Sequence, residues 1–210
     1  MAIFAIALVP EGNIIRSIRE IRSFAFRSGD SPEVSALPEA IYLGFYSKKG
    51  SGKVAISDKP FRKNAQSLFA ELPPLLHFSS VALVDGKWYI VPATPLSEGI
   101  LKAADNIAKE TGLSPMNSPP LSPGRGFFAG NNVTPPPFGA FSFRHLDALL
   151  YRIESDSQDL DRAWWTVLAR TSRHVGALMP ALRGGDNAFR AIVPRQALAL
   201  FTVPIFVEER

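Results

Sequence analysis

Leu37-Pro38-Glu39-Ala40-Ile41-Tyr42-Leu43-Gly44-Phe45-Tyr46 is an apolar run too short for a helix and shaped like a buried strand. What precedes it narrows the fold further. The chain opens on Ile3 to Val9, a second apolar run stopped by Pro10, and between the two runs Ile14, Ile18, Ile21 and Ala25 recur at helical spacing. Strand, amphipathic helix and strand make a β-α-β lobe whose two strands lie side by side. Arg16, Arg19 and Arg22 occupy the remaining helix surface. A solvated face is the ordinary account of such a row, and phosphate contact is the functional one. Gly29-Asp30-Ser31-Pro32 turns the chain into the organising strand.

Ser47 to Lys53 is a basic, glycine-containing loop, but it is not a phosphate-binding P-loop: Ser47 stands where the first glycine belongs and Val54 where the hydroxyl belongs. Lys48, Lys49 and Lys53 remain as a hairpin tip or as ligand contacts. Gln66 to Leu76 is a short helix candidate closed by Pro73-Pro74. Val81 to Val84, Asp85-Gly86, and Lys87 to Val91 predict a hairpin across a type I′ turn. Ser97 is placed as an N-cap with Glu98 in the first turn, Ile100, Ala104, Ile107 and Ala108 form a stripe, and Gly112 ends the helix.

From Ser114 to Pro137 seven prolines and three glycines argue against regular structure, leaving a functional loop or an insertion. Within it, Gly124-Arg125-Gly126-Phe127-Phe128 offers aromatic and arginine groups of the kind that hold single-stranded RNA. Alternatively Phe127 and Phe128 pin the loop to the core. Phe138 to Phe143 reads as the strand closing a second lobe. Leu146, Leu149, Leu150 and Ile153 predict a helix, Leu160 to Leu178 a longer one, and Ala197 to Val207 an edge strand interrupted by Pro204.

Two β-α-β lobes, each with a strand of the form P-x-[pocket]-x-[pocket]-L, are the plan of the 2H (LigT-like) phosphoesterases, and Pro38 to Leu43 resembles that strand. The resemblance implies an α+β fold, two ferredoxin-like lobes in a duplicated core at 1–143 (lobe one about 1–60, lobe two about 80–143, with 114–137 inserted), and a helical addition at 144–210. It also implies a His-x-Ser/Thr pair on each central strand, acting as acid and base on a cyclic or 2′,5′-linked phosphodiester without metal. Here Ala40 and Tyr42 take those places in the first lobe. Phe138 and Ala140 take them in the second, or Gln196 and Leu198 in a competing alignment. Both pairs are therefore lost in a degenerate member.

The expectation that follows is a non-catalytic protein binding RNA or a small nucleotide, through Tyr42, Tyr46, Lys48, Lys49, Lys53, Arg125, Phe127, Phe128, Arg144 and His145. Of the three histidines, His77, His145 and His174, His145 is the one candidate catalyst, because it follows the second-lobe strand beside Arg144 and near Asp147. Two alternatives remain open. The RNA-binding subunits of CRISPR systems also use two ferredoxin-like lobes and a glycine-rich loop, and a protein-interaction or virion assembly component would use 114–137 or 144–210 for docking.

Composition sets outer bounds. There is no cysteine, so disulfides, thiolate nucleophiles and cysteine zinc sites are excluded, which accords with a reducing cytoplasm. With 46% hydrophobic residues the chain has material for a core, which should hold Phe4, Ile6, Leu8, Ile18, Ile21, Ile41, Leu43, Phe45, Ile90, Ile107, Phe141 and Phe143. The N-terminal apolar run is too short to span a bilayer, so a soluble, cytoplasmic protein with no membrane contact, metal or cofactor is expected. A net charge of +4 permits a polyanion partner without requiring one.

Overall fold

The computed structural model describes residues 2–27, 37–48, 58–131, 135–155 and 163–173. In chain order these hold β1 (Ala2–Pro10), α1 (Gly12–Arg27), β2 (Ile41–Lys48), α2 (Asp58–Ala70), β3 (Leu76–Val84), β4 (Lys87–Pro92) and α3 (Glu98–Glu110). There follow β5 (Leu113–Pro115), β6 (Phe127–Gly130), β7 (Phe141–Phe143), β8 (Leu146–Ser155) and β9 (Ala163–Ser172). The fold is α+β: among the described residues, three helices and one antiparallel sheet ordered β7-β3-β4-β6-β2-β1-β8-β9, with β5 pairing on β2.

That order is two four-stranded halves meeting at β2 and β6. The strand-helix-strand units β1-α1-β2 and β4-α3-β6 occupy equivalent places on either side of the junction. Between β2 and β6 the ladder is a single residue pair, Ile41 opposite Phe127, and β5 adds three further pairs on the same edge of β2. Beside it α1 packs against β6, and Ile18 is fully enclosed.

Strand alternation divides the apolar residues between two cores. One lies on the helix side, where Ile6, Leu8, Ile41, Leu43, Phe78, Ile90 and Phe127 meet Ile18 of α1, Phe61 and Leu68 of α2, and Ile100 and Ile107 of α3. Gly44 leaves room on this side for the ring of Tyr46, which would overlap any Cβ at that position. The other core lies on the opposite face, which carries no helix among the described residues: Ala5, Ala7, Ala40, Tyr42, Phe45, Tyr89, Phe128, Leu149, Tyr151 and Ile153. Of the twelve residues expected in the core, ten are buried and Ile21 and Phe141 are partly buried against it.

Local signals were read correctly where the chain's own geometry decides them. Asp85 and Gly86 both have positive φ, at 51° and 73°, as a type I′ turn requires. Ser97 caps α3 by accepting from the amide of Ile100, and Gly112 stops it at φ 75°.

Elsewhere the structure corrects the sequence reading. Residues 146–155 and 163–172 are strands, not helices, and β8 pairs with β1 from Leu146 to Glu154, so it belongs to the central sheet instead of to an addition. Helix α2 starts at Asp58, well before Gln66, and Leu76 already opens β3. Residues 135–140 are irregular, only Phe141–Phe143 is a strand, and it pairs with β3 at the far end of the sheet order. The proline-rich stretch does contain regular structure, because β6 fits between Gly126 and Gly130 where no proline intervenes. The compact unit runs from Met1 to Arg173. The expected strand at Ala197 to Val207, the alignment on Gln196, the remainder of the longer helix and His174 lie outside the described residues.

The turn between β7 and β8 fixes the sheet's curvature. Phe143 pairs with Leu76 at the start of β3, and Leu146 pairs with Pro10 at the end of β1. Three residues of chain span roughly 10 Å at most, so the two halves must curl until those ends are close. Arg173 fastens the closure: its guanidinium donates to the carbonyls of Pro73 and Leu72, at 2.8 and 3.0 Å, and its amide donates to that of Leu146 at 2.9 Å.

Candidate functional site

The antiparallel junction of β2 and β6 has a local two-fold axis through the pair Ile41 and Phe127. Stepping one residue back from each partner gives Ala40 and Gly126, and stepping one forward gives Tyr42 and Phe128. These four positions are the symmetric centre of the helix-free face. All four are buried. Tyr42 donates its hydroxyl to the carbonyl of Pro38 at 2.9 Å and stacks on Phe45 with ring centroids 4.9 Å apart. Phe128 meets Tyr89 edge-on at 6.2 Å. Gly126 has φ 124°, and a Cβ there would lie 2.0 Å from the carbonyl oxygen of Ile90, so the strand passes closer to β4 than any side chain allows.

Residues 116–124 lie across this face as a strap. Met116 donates its amide to the carbonyl of Phe45 at 2.9 Å and Gly124 to that of Tyr42 at 2.8 Å. The amide of Ser122 donates to the Tyr89 hydroxyl at 3.0 Å, and its side chain to Asp85 at 2.8 Å. Leu121 is buried in the same apolar cluster.

Charged groups flank the aromatic floor. Arg19 grips the Glu39 carboxylate with Nε and Nη2, each at 3.1 Å, and Arg22 approaches it at 3.6 Å while donating to the carbonyl of Leu37 at 2.8 Å. The Arg22 guanidinium also sits 5.7 Å from the centre of the Phe128 ring. Burial works against the Glu39 anion, but the hydrogen bond from Arg19 and the charge of Arg22 outweigh it and hold this carboxyl below the ordinary range. Further along, Arg170 binds Asp147, with Nε at 2.8 Å from Oδ2. Burial pushes the hydroxyl of Tyr151 up to about 12, and it raises Tyr42 well above its usual value and Tyr89 above it. None of these phenols is a proton carrier near neutral pH.

The residues singled out from sequence do not assemble into one site. Tyr42 and Phe128 come together on the helix-free face, but as core. Tyr46 and Phe127 are core on the helix side, where Tyr46 donates to Asp105 at 2.9 Å and burial raises its hydroxyl. All four rings are buried as packing residues in the structure. Lys48 ends β2 with its amine enclosed and without a hydrogen-bond partner, which removes it from any solvent-facing cluster. Lys49 and Lys53 lie outside the described residues. Arg125 is exposed in the turn before β6, and Arg144 and His145 are exposed in the turn between β7 and β8. The second-lobe pair expected at Phe138 and Ala140 does not lie beside Ala40 and Tyr42. The strand that does is β6.

The reading from sequence did not pick out Glu39, Tyr89, Tyr151 or Arg170. For Tyr89, Tyr151 and Arg170 the signal is the strand register that puts them on the helix-free face, which is set by pairings distant in sequence, and Glu39 is brought in by the β1-α1-β2 connection. Among the described residues no group of three or more His, Cys, Asp or Glu side chains is placed to hold a metal, and no helix is long and apolar enough to cross a membrane.

An antiparallel sheet in two equivalent halves, with its centre on a pair of two-fold-related strands, defines the class of fold. Solved structures similar to this chain include a phosphoesterase, at TM-score 0.45 and 16% identity, covering 80% of this chain and 96% of that one. They also include E. coli LigT complexed with 3′-AMP, at TM-score 0.45 and 15% identity over 81% of this chain and 97% of that one. E. coli LigT complexed with NADP+ gives a TM-score of 0.39 at 15% identity, over 80% and 96%. No protein-family model matches the sequence, and no curated protein matches it.

Proposed function

We propose that the chain is a non-catalytic binding protein on a degenerate 2H-like sheet, and that its ligand is RNA or a small nucleotide. One observation carries the first half: the symmetric centre of the helix-free face is built from Ala40, Tyr42, Gly126 and Phe128, all buried. Metal-free cleavage of a phosphodiester needs paired groups that give and take a proton near neutral pH. Alanine, glycine and phenylalanine have none, and the Tyr42 proton is committed to Pro38. With β2 and β6 as the central strands of the two lobes, the 2H plan would place its histidines at Ala40 and Gly126 and its hydroxyls at Tyr42 and Phe128.

The ligand class rests on the net charge of +4 and on the exposed Arg125, Arg144 and His145. The closed floor sends any ligand to the periphery. Phosphate contacts release counterions, so binding should weaken with salt. The test is fluorescence anisotropy with a short single-stranded RNA at two salt concentrations, on the wild-type chain and on the triple variant Arg125→Ala, Arg144→Ala, His145→Ala. Weaker binding and a flatter salt dependence in the variant are expected. Equal binding by both, or none by either, overturns the ligand assignment.

A protein-interaction role is favoured by one separate observation. Trp165 and Val167 share the helix-free face of β9 and are 46% and 40% exposed, an apolar exposure the rest of that face does not have.

A further inference from the structure

The strap over the helix-free face contains a repeat that the binding role does not use. Residues 114–125 read Ser-Pro-Met-Asn-Ser-Pro-Pro-Leu-Ser-Pro-Gly-Arg, three Ser-Pro steps four residues apart, the last followed by glycine and arginine. A proline directly after serine fixes an extended backbone and removes an amide donor. An arginine two positions further on adds a cation, and together these are what a proline-directed serine kinase selects. Ser114 is committed to pairing between β5 and β2. Ser118 is exposed, and Ser122 is half-buried where the strap is anchored.

We propose that Ser122 is a phosphorylation site for a proline-directed serine kinase, and that phosphate there releases the strap from the helix-free face. In the transfer, the Ser122 hydroxyl oxygen attacks the γ-phosphorus of a nucleoside triphosphate. An oxygen–phosphorus bond forms, the bond to the β,γ-bridging oxygen breaks, the diphosphate leaves, and the hydroxyl proton passes to the kinase's carboxylate base. The resulting ester oxygen has no proton for Asp85, so the 2.8 Å bond is lost. A group of charge about −1.5 to −2 then faces a carboxylate at that distance, where like charges repel. Arg125, the one cation of residues 114–125, lies in the exposed turn before β6 and outside the strap, so an ion pair from it to the phosphate is the competing outcome, and unchanged exchange would report it. What is uncovered is the aromatic floor of Tyr42, Tyr89 and Phe128, whatever ligand the chain binds elsewhere.

The experiment uses the full chain with a proline-directed serine kinase and ATP, maps the phosphate by mass spectrometry, and follows hydrogen exchange of the strap amides. The expected result is phosphate on Ser122, with Ser118 as a second acceptor, and strap amides that exchange at least tenfold faster than in the unmodified chain. Asp85→Asn is the control. Asparagine tolerates the positive φ of that turn position and can donate to a phosphate, so the phosphorylated variant should keep its strap protected. No phosphate on Ser122, unchanged exchange after phosphorylation, or equal loosening in Asp85→Asn would each overturn the proposal.

Discussion

Glu39 is the residue whose chemistry differs most from what its place in the sequence suggests. Between a proline and an apolar strand it reads as a solvated charge at a strand entry, yet its side chain is 15% exposed and answers two of the four arginines of α1, Arg19 and Arg22. Part of the basic helix face is thus neutralised internally. The sequence located the arginine row and not its partner, because Arg19 and Glu39 are brought together by the β1-α1-β2 turnover and not by helical spacing. A carboxyl whose folded pKa lies below its unfolded value stabilises the fold above the unfolded value, about 4.3 for glutamate, and that stabilisation is lost as pH falls through the folded one. Glu39→Gln should therefore be less stable than wild type at pH 7, by under about 1 kcal/mol because Arg19 is solvent-exposed. The difference should close as pH drops below the ordinary carboxylate range. Urea titrations of both proteins at pH 7 and pH 3 measure it, and a gap that widens in acid would contradict the assignment.

Among the elements, β8 and β9 explain why the C-terminal part of the unit was misread. Leu146, Leu149, Leu150 and Ile153 satisfy helical spacing, but Leu146, Ala148 and Leu150 line one core while Leu149, Tyr151 and Ile153 line the other. A strand buried on both faces is a continuous apolar run, and such a run fits either period. In β9 the register slips between the pairs Leu150 with Ala169 and Tyr151 with Val167, and this bulge breaks the alternation that would have betrayed a strand. The hairpin and α3 were legible because their stop and start signals are local. The end of β9 is tied down by Arg173, whose charged hydrogen bonds reach two carbonyls about a hundred residues away in sequence. Hydrogen bonds from a charged group are worth roughly 1.5–3 kcal/mol. Arg173→Ala should lower stability by about that amount, and it should speed hydrogen exchange in β9 and in the segment between α2 and β3 more than in the β1–β2 pairing. Uniform loosening would mean that the contact does not fasten this edge.

For the molecule as a whole, the pairing of β2 with β6 decides what the fold can do. The sequence puts its two candidate pairs at Ala40 and Tyr42, beside the junction on β2, and at Phe138 and Ala140, about a dozen residues beyond β6. The strand that meets β2 there, β6, is only four residues long, inside a proline-rich stretch, and is recognisable only once paired. Under the proposed reading, a second pair on β6 is more restrictive than one at Phe138 and Ala140. Histidine at Phe138 or Ala140 would have been a matter of substitution, whereas at Gly126 it meets a positive φ and the Ile90 carbonyl together. A strained φ alone costs of order 1–3 kcal/mol, and the overlap adds to it. The purified chain should give no turnover of 2′,3′-cyclic nucleotides or 2′,5′-linked oligonucleotides. Ala40→His with Tyr42→Thr should remain inactive and lose roughly 3–5 kcal/mol, as expected for truncating a large buried ring. Adding Gly126→His and Phe128→Thr should abolish folding, visible as loss of a cooperative urea transition. Turnover in the wild type that disappears in His145→Ala would overturn this account, because the exposed turn between β7 and β8 would then hold chemistry that the centre of the sheet cannot supply.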